Sequence, residues 1–238
     1  MRSSTLRVSL AMSLSLAVST GVLAKTFLDD FSAMPVGRCY PDGSEGGVWR
    51  FVYDGYGCSG FVSFNANTMW SGAPMAAGRP DETHAALVVG PAVAGDFTLD
   101  VSSVTTRQLR SGTPPNPWEV AWVLWHYTDD AHFYYFAAKP NGWELGKEDP
   151  AYPGAQRFLA TGSAPAFPIG SWYRIRVAQA GDTIRVFVDD LLITTMTDRE
   201  RPYTSGRIGL YTEDAEVYFD NVSLATSRPA PPGKGKKK

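Results

Sequence analysis

The sequence of 238 residues is 44% hydrophobic and 13% aromatic, and it carries 22 basic and 24 acidic side chains. Seven of the basic residues lie near the two ends, so residues 25–227 hold 15 basic against 24 acidic side chains, a net charge of −9. A domain of that charge repels polyanions, which excludes nucleic acid as a partner.

Residues 1–24 predict a secretory signal peptide. Arg2 and Arg7 flank the start of an apolar run over 8–18, and the small-residue exit Val22-Leu23-Ala24 follows. That order is typical of a cleaved signal, whereas a buried N-terminal helix is the alternative. The run is also shorter than the roughly 20 apolar residues that span a bilayer. We therefore expect a periplasmic or secreted protein that does not span the membrane.

Two cysteines, Cys39 and Cys58, lie in the first part of the mature chain. In an oxidising compartment such a pair is expected to form a disulfide, and closing a loop of this length stabilises by about 3 kcal/mol. A metal site is the weaker alternative, because His84, His126 and His132 show no ligand spacing to either cysteine.

Short alternating runs rich in Val, Ile, Tyr, Phe and Trp follow, separated by Gly, Pro, Asn and Asp. This pattern is typical of strands. It predicts an all-β fold, a two-sheet antiparallel jelly-roll sandwich formed by residues 25–227. The eleven predicted strands are 85–89, 97–106, 119–127, 133–139, 143–147, 157–161, 172–178, 183–188, 191–195, 206–212 and 216–224. Residues 228–238 are rich in Pro, Gly and Lys and predict a disordered basic tail.

One hairpin can be placed from its turn residues, because Asn141-Gly142 is a strong hairpin signal. Closing the hairpin there pairs Lys139 with Glu144 and Ala137 with Gly146. Since side chains alternate between faces, one face is apolar, with Lys147 at its edge. The other face carries Tyr135, Ala137, Lys139, Glu144, Gly146 and Glu148. Small residues at 137 and 146 predict a groove floor that leaves room for a ligand.

Three separated motifs resemble a known superfamily. They are Asp29-Asp30-Phe31-Ser32, the run over 122–136, and the closing segments 203–211 and 217–222. Together they resemble the concanavalin A-like lectin/glucanase sandwiches, and most closely bacterial exported domains of the 3-keto-disaccharide hydrolase type. The resemblance implies a jelly-roll fold and a glycan partner. It leaves open whether glycans are bound, hydrolysed or eliminated. The Glu-x-Asp-x-x-Glu pattern of laminarinase-like enzymes is absent, so a two-carboxylate glycosidase requires a different arrangement.

Candidate catalytic residues come from the central strands. If Trp125 faces the core, His126 faces the polar side near Tyr135 and Ala137. His126, Tyr135, Lys139 and Glu144 are then candidates for acid and base in glycan cleavage. The alternative is a histidine on the sheet surface that serves binding or nothing.

Candidate substrate-binding residues surround this face. Trp118 and Trp143 are the tryptophans expected to stack on sugar rings, although Trp is more often a core residue. Glu148 and Gln156 lie at the rim. Arg157 either contacts the sugar through its guanidinium or pairs with Glu148 or Asp149. Lys139, Lys147 and Arg157 could form a local positive patch.

The resemblance also implies one structural Ca²⁺, held by Asp220 and backbone carbonyls of the first strand; the alternative is that Asp220 and Asn221 cap a turn. We expect no organic cofactor and a monomeric chain. The first hypothesis is an exported protein that binds or acts on oligo- or polysaccharide. The second is a glycoside hydrolase or polysaccharide lyase, and the third a structural or adhesive envelope domain.

Overall fold

The computed structural model of the protein describes residues 25–226. The predicted signal peptide lies outside these residues, as does the basic tail, and both stay predictions. The described residues form seventeen strands, and they include no helix long and apolar enough to cross a membrane. The strands are β1 Lys25–Asp29, β2 Arg38–Cys39, β3 Glu45–Gly46, β4 Trp49–Tyr53, β5 Cys58–Phe64, β6 Asn67–Ala73, β7 Ala85–Ala94, β8 Phe97–Gln108, β9 Ala121–Asp129, β10 His132–Lys139, β11 Gly142–Glu148, β12 Gln156–Gly162, β13 Tyr173–Ala180, β14 Thr183–Val188, β15 Leu191–Thr197, β16 Ser205–Glu213 and β17 Ala215–Thr226.

The strands form two antiparallel sheets packed face to face. The first sheet has the order β15-β14-β13-β8-β17-β6-β5-β2, with β1 also paired to β17, and the second has the order β12-β11-β10-β9-β16-β7-β4-β3. Neighbouring strands are often distant in the chain: β9 pairs with β16, and β8 with β17. The prediction of a two-sheet antiparallel sandwich is confirmed.

The core lies between the sheets and is built from alternate residues of each strand. On β9, for example, Val123 and Trp125 point into it, and Trp125 donates its indole N–H to Gln179 Oε1 at 2.9 Å. Buried aromatic side chains such as Trp49, Trp70 and Phe219 fill much of the space. Side chains of this size bury a large apolar area each, so the core needs no helix to cover it.

All eleven predicted strands are present, and the six strands before Ala85 were missed. Two of these, β2 and β3, are only two residues long. Their hydrogen bonds come from pairing with β5 and β4, so no alternating pattern of their own marks them.

The predicted hairpin register is wrong by two residues. Lys139 pairs with Gly142, and Ala137 lies opposite Glu144, because Pro140 and Asn141 form the turn and Pro suits its first central position. Gly142 adopts a φ of +134° beside the carbonyl oxygen of Gly162, where a β-carbon would clash. A shift of two keeps every side chain on its predicted face.

The predicted disulfide is confirmed. Cys39 of β2 and Cys58 of β5 are bonded, with their Cα atoms 5.0 Å apart. The bond ties the short β2 to the edge of the first sheet. It closes a loop with a sequence separation of 19 residues.

Candidate functional site

A cleft of about 540 Å³ opens on the outer face of the second sheet. Its size is that of a small-molecule or sugar site. We call it the acidic cleft, because four carboxylates and a ring of aromatic groups line it and, within residues 25–226, no basic side chain does so. The lining residues are Tyr53, Trp118, Trp122, Asp130, Phe133, Glu144, Glu148, Gln156, Phe158, Tyr211 and Glu213.

The floor of the cleft is aromatic because the strands that form the core also present their alternate residues outward. Trp122 stacks on Tyr135 with ring centroids 4.5 Å apart, and it meets Tyr211 edge-on at 5.4 Å. Trp122 Nε1 donates a hydrogen bond to the carbonyl oxygen of Trp118 at 2.7 Å. This bond holds Trp118 at the rim, where its side chain is 41% exposed.

Glu144 is held in place by Tyr135 and Lys139, and Gln156 in turn holds Tyr135. Tyr135 donates its hydroxyl to Glu144 Oε1 at 2.7 Å, and Lys139 Nζ donates to Oε2 at 2.6 Å. Gln156 Nε2 donates to the Tyr135 hydroxyl at 2.9 Å. Burial beside this carboxylate raises the pKa of Tyr135 far above its usual range, so Tyr135 stays neutral and acts as a donor. Both Glu144 oxygens are therefore occupied, and the group is a fixed acceptor.

Glu148 and Glu213 are two cleft carboxylates with raised pKa values. Burial raises the pKa of Glu148, and the charge of Glu213 raises it further. Burial also raises the pKa of Glu213, against the hydrogen bond from the Tyr211 hydroxyl at 2.6 Å. Within residues 25–226 neither carboxylate has a salt-bridge partner. Carboxylic groups with raised pKa values in a cleft are candidates for a general acid or base.

Four predicted site residues lie at this cleft: Trp118, Glu144, Glu148 and Gln156. Tyr135 and Lys139 lie beside it and bind Glu144, so the structure brings together three of the four candidate catalytic residues. Gly146 is not a groove floor as predicted, because it lies opposite Tyr135 and its missing side chain makes room for that ring.

The predicted position of His126 is wrong. Its ring is fully buried on the core side, 5.4 Å from the ring of Phe97 and 6.3 Å from that of Tyr134. A β-bulge causes this, because the β9–β16 pairing passes from Leu124 to Tyr127 with an irregularity, and His126 has a φ of +54°. Within the described chain neither ring nitrogen has a hydrogen-bond partner, and burial lowers its pKa to about 4.

Trp143 and Arg157 also lie away from the cleft. Trp143 shares the core face with Leu145, is 8% exposed, and donates its indole N–H to the carbonyl oxygen of Ala164 at 3.0 Å. Arg157 pairs with Asp198 at 3.6 Å and with Glu200 at 3.2 Å, rather than with Glu148 or Asp149. Its strand neighbour Gln156 takes the outward position instead.

Sequence reasoning missed most of the aromatic wall and one of the two carboxylates with a raised pKa. Tyr211 and Glu213 are two residues apart on β16, which places them on one face, and this spacing was the available signal. The missed lining residues are Tyr53, Trp122, Asp130, Phe133, Phe158, Tyr211 and Glu213.

A second hollow adjoins the acidic cleft. It has a volume of about 860 Å³, and Asp130 lines both spaces. Tyr127 donates its hydroxyl to Asp130 at 2.8 Å, and Tyr53 does so at 3.4 Å. Asp130 and these two tyrosines therefore stand at the boundary between the two spaces.

Asp220 lies on the other sheet. It accepts the backbone N–H of Asn221 at 2.6 Å, and burial, with the charges of Asp30 and Asp29, raises its pKa. Oxygen donors and unneutralised charge fit a hard cation such as Ca²⁺. Among residues 25–226, however, no three His, Cys, Asp or Glu side chains are grouped to hold a metal. Backbone carbonyls would have to complete the site, so the calcium ion stays a prediction.

Comparison with known proteins identifies the family of the chain and solved structures that share its fold. Residues 75–225 match the 3-keto-alpha-glucoside-1,2-lyase-like domain, and no curated protein matches the sequence. A carbohydrate-binding module from Bacillus subtilis is similar in structure, with a TM-score of 0.54 and 16% identity over 75% of this chain and 96% of that chain.

Two further solved structures share the sandwich. Domain 4 of an extracellular GH43 arabinanase from Geobacillus stearothermophilus, in complex with arabinotriose, has a TM-score of 0.50 and 9% identity, over 86% of this chain and 93% of that one. A carbohydrate esterase from Shiga toxin-encoding bacteriophage phi24B has a TM-score of 0.50 and 13% identity, over 86% of this chain and 100% of that one. Because the sequence identities are this low, these similarities show a shared fold only.

Proposed function

The chain belongs to the family of 3-keto-alpha-glucoside-1,2-lyase-like domains, and from this membership and the geometry of the acidic cleft we propose that it binds a neutral oligo- or polysaccharide there. The observation that carries the proposal is the pairing of exposed aromatic faces with buried carboxylates in one cavity. Trp118 and Phe158 are 41% and 56% exposed at its rim, and Glu144 and Glu148 line the same cavity.

The chemistry of these groups matches that of a sugar. Indole and phenyl rings present apolar faces to the C–H side of a pyranose or furanose ring. Carboxylate oxygens accept hydrogen bonds from hydroxyl groups, and bonds to a charged acceptor contribute about 1.5–3 kcal/mol each. The hollow that adjoins the cleft at Asp130 gives room for several sugar units.

The charge of the cleft favours a neutral substrate over a uronate. The three cations that could have formed a positive patch are all engaged in ion pairs. Lys139 binds Glu144 at 2.6 Å, Lys147 is buried against Asp198 at 2.7 Å, and Arg157 pairs with acids outside the cleft. Among the residues that line the acidic cleft, a uronate would therefore meet four carboxylates and no cation.

We also place the protein outside the cytoplasm. The disulfide between Cys39 and Cys58 supports an oxidising compartment, and the signal-like sequence over 1–24 agrees with it.

The two carboxylates with raised pKa values favour a second function at the same cleft, the elimination that the family's name describes. In a 3-keto glucoside the ketone acidifies the proton on C2. One carboxylate of Glu148 and Glu213 would take that proton, and the C–H electrons would form the C1–C2 double bond as the glycosidic C1–O bond breaks. The other group, as the carboxylic acid, would protonate the leaving oxygen. Glu144, fixed by Lys139 and Tyr135, would orient the ring.

One experiment separates these functions from a structural or adhesive domain. The purified protein is incubated with a 3-keto α-glucoside disaccharide and its unoxidised parent, and both retention and the near-ultraviolet absorbance of the conjugated enone product are measured. If elimination occurs, Glu148→Gln and Glu213→Gln abolish product while binding persists. If the protein only binds, no product forms and Trp118→Ala weakens retention.

The matched control is Glu200→Gln, which removes a carboxylate that is 59% exposed and pairs with Arg157 away from the cleft. It should behave like the parent. Absence of both product and retention, across these probes and a panel of neutral glycans, would refute both functions and leave the structural one.

A further inference from the structure

A separate hollow of about 400 Å³ lies on the outer face of the first sheet, on the opposite side of the sandwich from the acidic cleft. We call it the rear hollow. The residues that carry the argument are Phe64, Asn65, Asn67, Trp172, Asp220 and Asn221.

The strand register explains how these residues meet. Asp220 on β17 lies opposite Ser102 on β8, and Ser102 lies opposite Arg174 on β13. Their neighbours Phe219 and Val101 point into the core, so this row points outward. The turn between β5 and β6 brings Phe64 and Asn67 to one end of the row. Trp172, just before β13, stands at the other end.

Four polar side chains around the rear hollow have no hydrogen-bond partner among the described residues. Within residues 25–226 no hydrogen bond is made by the side-chain amides of Asn65, Asn67 and Asn221, or by the indole N–H of Trp172. The aromatic side chains of Phe64 and Trp172 are 49% and 42% exposed. Folding alone does not require two large exposed rings beside three free amides.

The cation at the rear hollow is already paired. The guanidinium of Arg174 forms an ion pair with Asp190, and the backbone N–H of Arg174 donates to Asp189 Oδ1 at 2.9 Å. With Asp220 also lining the space, an anionic ligand would be repelled. A ligand for this place is therefore neutral, has an apolar face for the rings, and carries hydroxyl groups for the amides.

We propose that the rear hollow is a second saccharide site, which binds a neutral sugar unit between Trp172 and Phe64 with its hydroxyl groups on Asn65, Asn67 and Asn221. An amide offers both donors and an acceptor, which suits neighbouring hydroxyls. Because the two sites face opposite ways, one molecule can contact two polysaccharide chains. The second contact is then made at high effective concentration, which raises overall retention on a polymer.

The test uses affinity electrophoresis of the full protein in gels that contain a soluble neutral β-glucan, arabinan or fructan. Trp172→Ala and Asn67→Ala should each reduce retention at least threefold in the gel that retards the parent. The cleft variant Trp118→Ala should leave residual retention, and the double variant with Trp172→Ala should remove it. Tyr56→Ala, which deletes an 84% exposed ring outside both sites, is the matched control and should behave like the parent.

Calorimetry with a neutral trisaccharide from the retarding polymer gives an independent readout. The parent should bind two molecules, and each of Trp118→Ala and Trp172→Ala should bind one. Parent-like retention of Trp172→Ala, a parent stoichiometry of one that Trp172→Ala leaves unchanged, or no retention in any gel would overturn the second site. If Trp118→Ala changes nothing while Trp172→Ala abolishes binding, the cleft proposal fails and the rear hollow stands. Thermal midpoints check folding, since both tryptophans are partly exposed and their replacement should leave the midpoint close to that of the parent.

Discussion

His126 offers a sharp test of the structure, because sequence reasoning placed it in catalysis and the fold places it in the core. Its ring is fully buried with both nitrogens unpartnered in the described chain, and burial lowers its pKa to about 4 from 6.5. The unfolded chain therefore binds the proton more readily than the folded one between pH 6.5 and 4. The contribution of His126 to the free energy of unfolding is fully present above pH 6.5 and is lost as the pH falls toward 4.

The magnitude follows from the pKa shift. One pKa unit corresponds to about 1.4 kcal/mol, so His126 should cost about 2 kcal/mol of unfolding free energy at pH 5 and about 3 kcal/mol at pH 4. His126→Phe keeps a ring in the same apolar place and removes the titration. The free energy of unfolding is measured in urea at several pH values. As the pH falls, the value for the variant should rise relative to that of the parent by these amounts.

The control is His132→Phe, which replaces an exposed histidine that bonds Asp129 at 2.7 Å and should give no such gain. Saccharide retention by His126→Phe at pH 7 should equal that of the parent. A parallel pH dependence of parent and variant would refute the buried placement, and a loss of turnover in His126→Phe at unchanged stability would restore the histidine to catalysis.

Three further predictions concern the mature N-terminus with the disulfide, the calcium ion and the acidic cleft. The secreted protein should begin at Lys25 and be lighter than the fully reduced chain by two hydrogen atoms, which intact mass measures; an uncleaved start or free thiols would contradict this. Chelation should lower the thermal midpoint of the parent but not of Asp220→Ala, since a saturating ion stabilises by about 2.7 kcal/mol at a 100-fold excess over Kd; an unchanged parent midpoint would dispose of the ion. Lys139→Met combined with Glu144→Gln removes a largely buried ion pair at similar volume, and it should weaken saccharide binding at least tenfold, about 1.4 kcal/mol, with folding retained. Lys139→Ala alone should also destabilise the fold, because it leaves a buried carboxylate without its cation.

Much of the fold follows from local patterns. Alternation of apolar and polar residues identified all eleven strands after residue 84 and the two faces of the β10–β11 hairpin. The disulfide followed from the number of cysteines and the expected compartment. These features could be predicted because each depends on neighbours in the chain or on a pair with no competitor.

Local patterns failed where backbone geometry depends on a distant strand. Gly142, which the prediction placed in the turn, begins β11 against the carbonyl oxygen of Gly162 of β12. His126 turned inward at a bulge in β9 that disrupts the pairing of β9 with both β10 and β16.

The sequence by itself determined which residues could face outward, and the tertiary structure decided which of them meet. Trp118, Glu144 and Glu148 were found from their own strands and loops. Glu213 joined them only because the sheet order places β16 three strands from β11, which carries Glu144 and Glu148, with β10 and β9 between. This order brings residues about 65 positions apart into one cleft. The raised pKa values of Glu148 and Glu213 arise chiefly from burial, with a further contribution from neighbouring carboxylates, and both causes are properties of the assembled sheet.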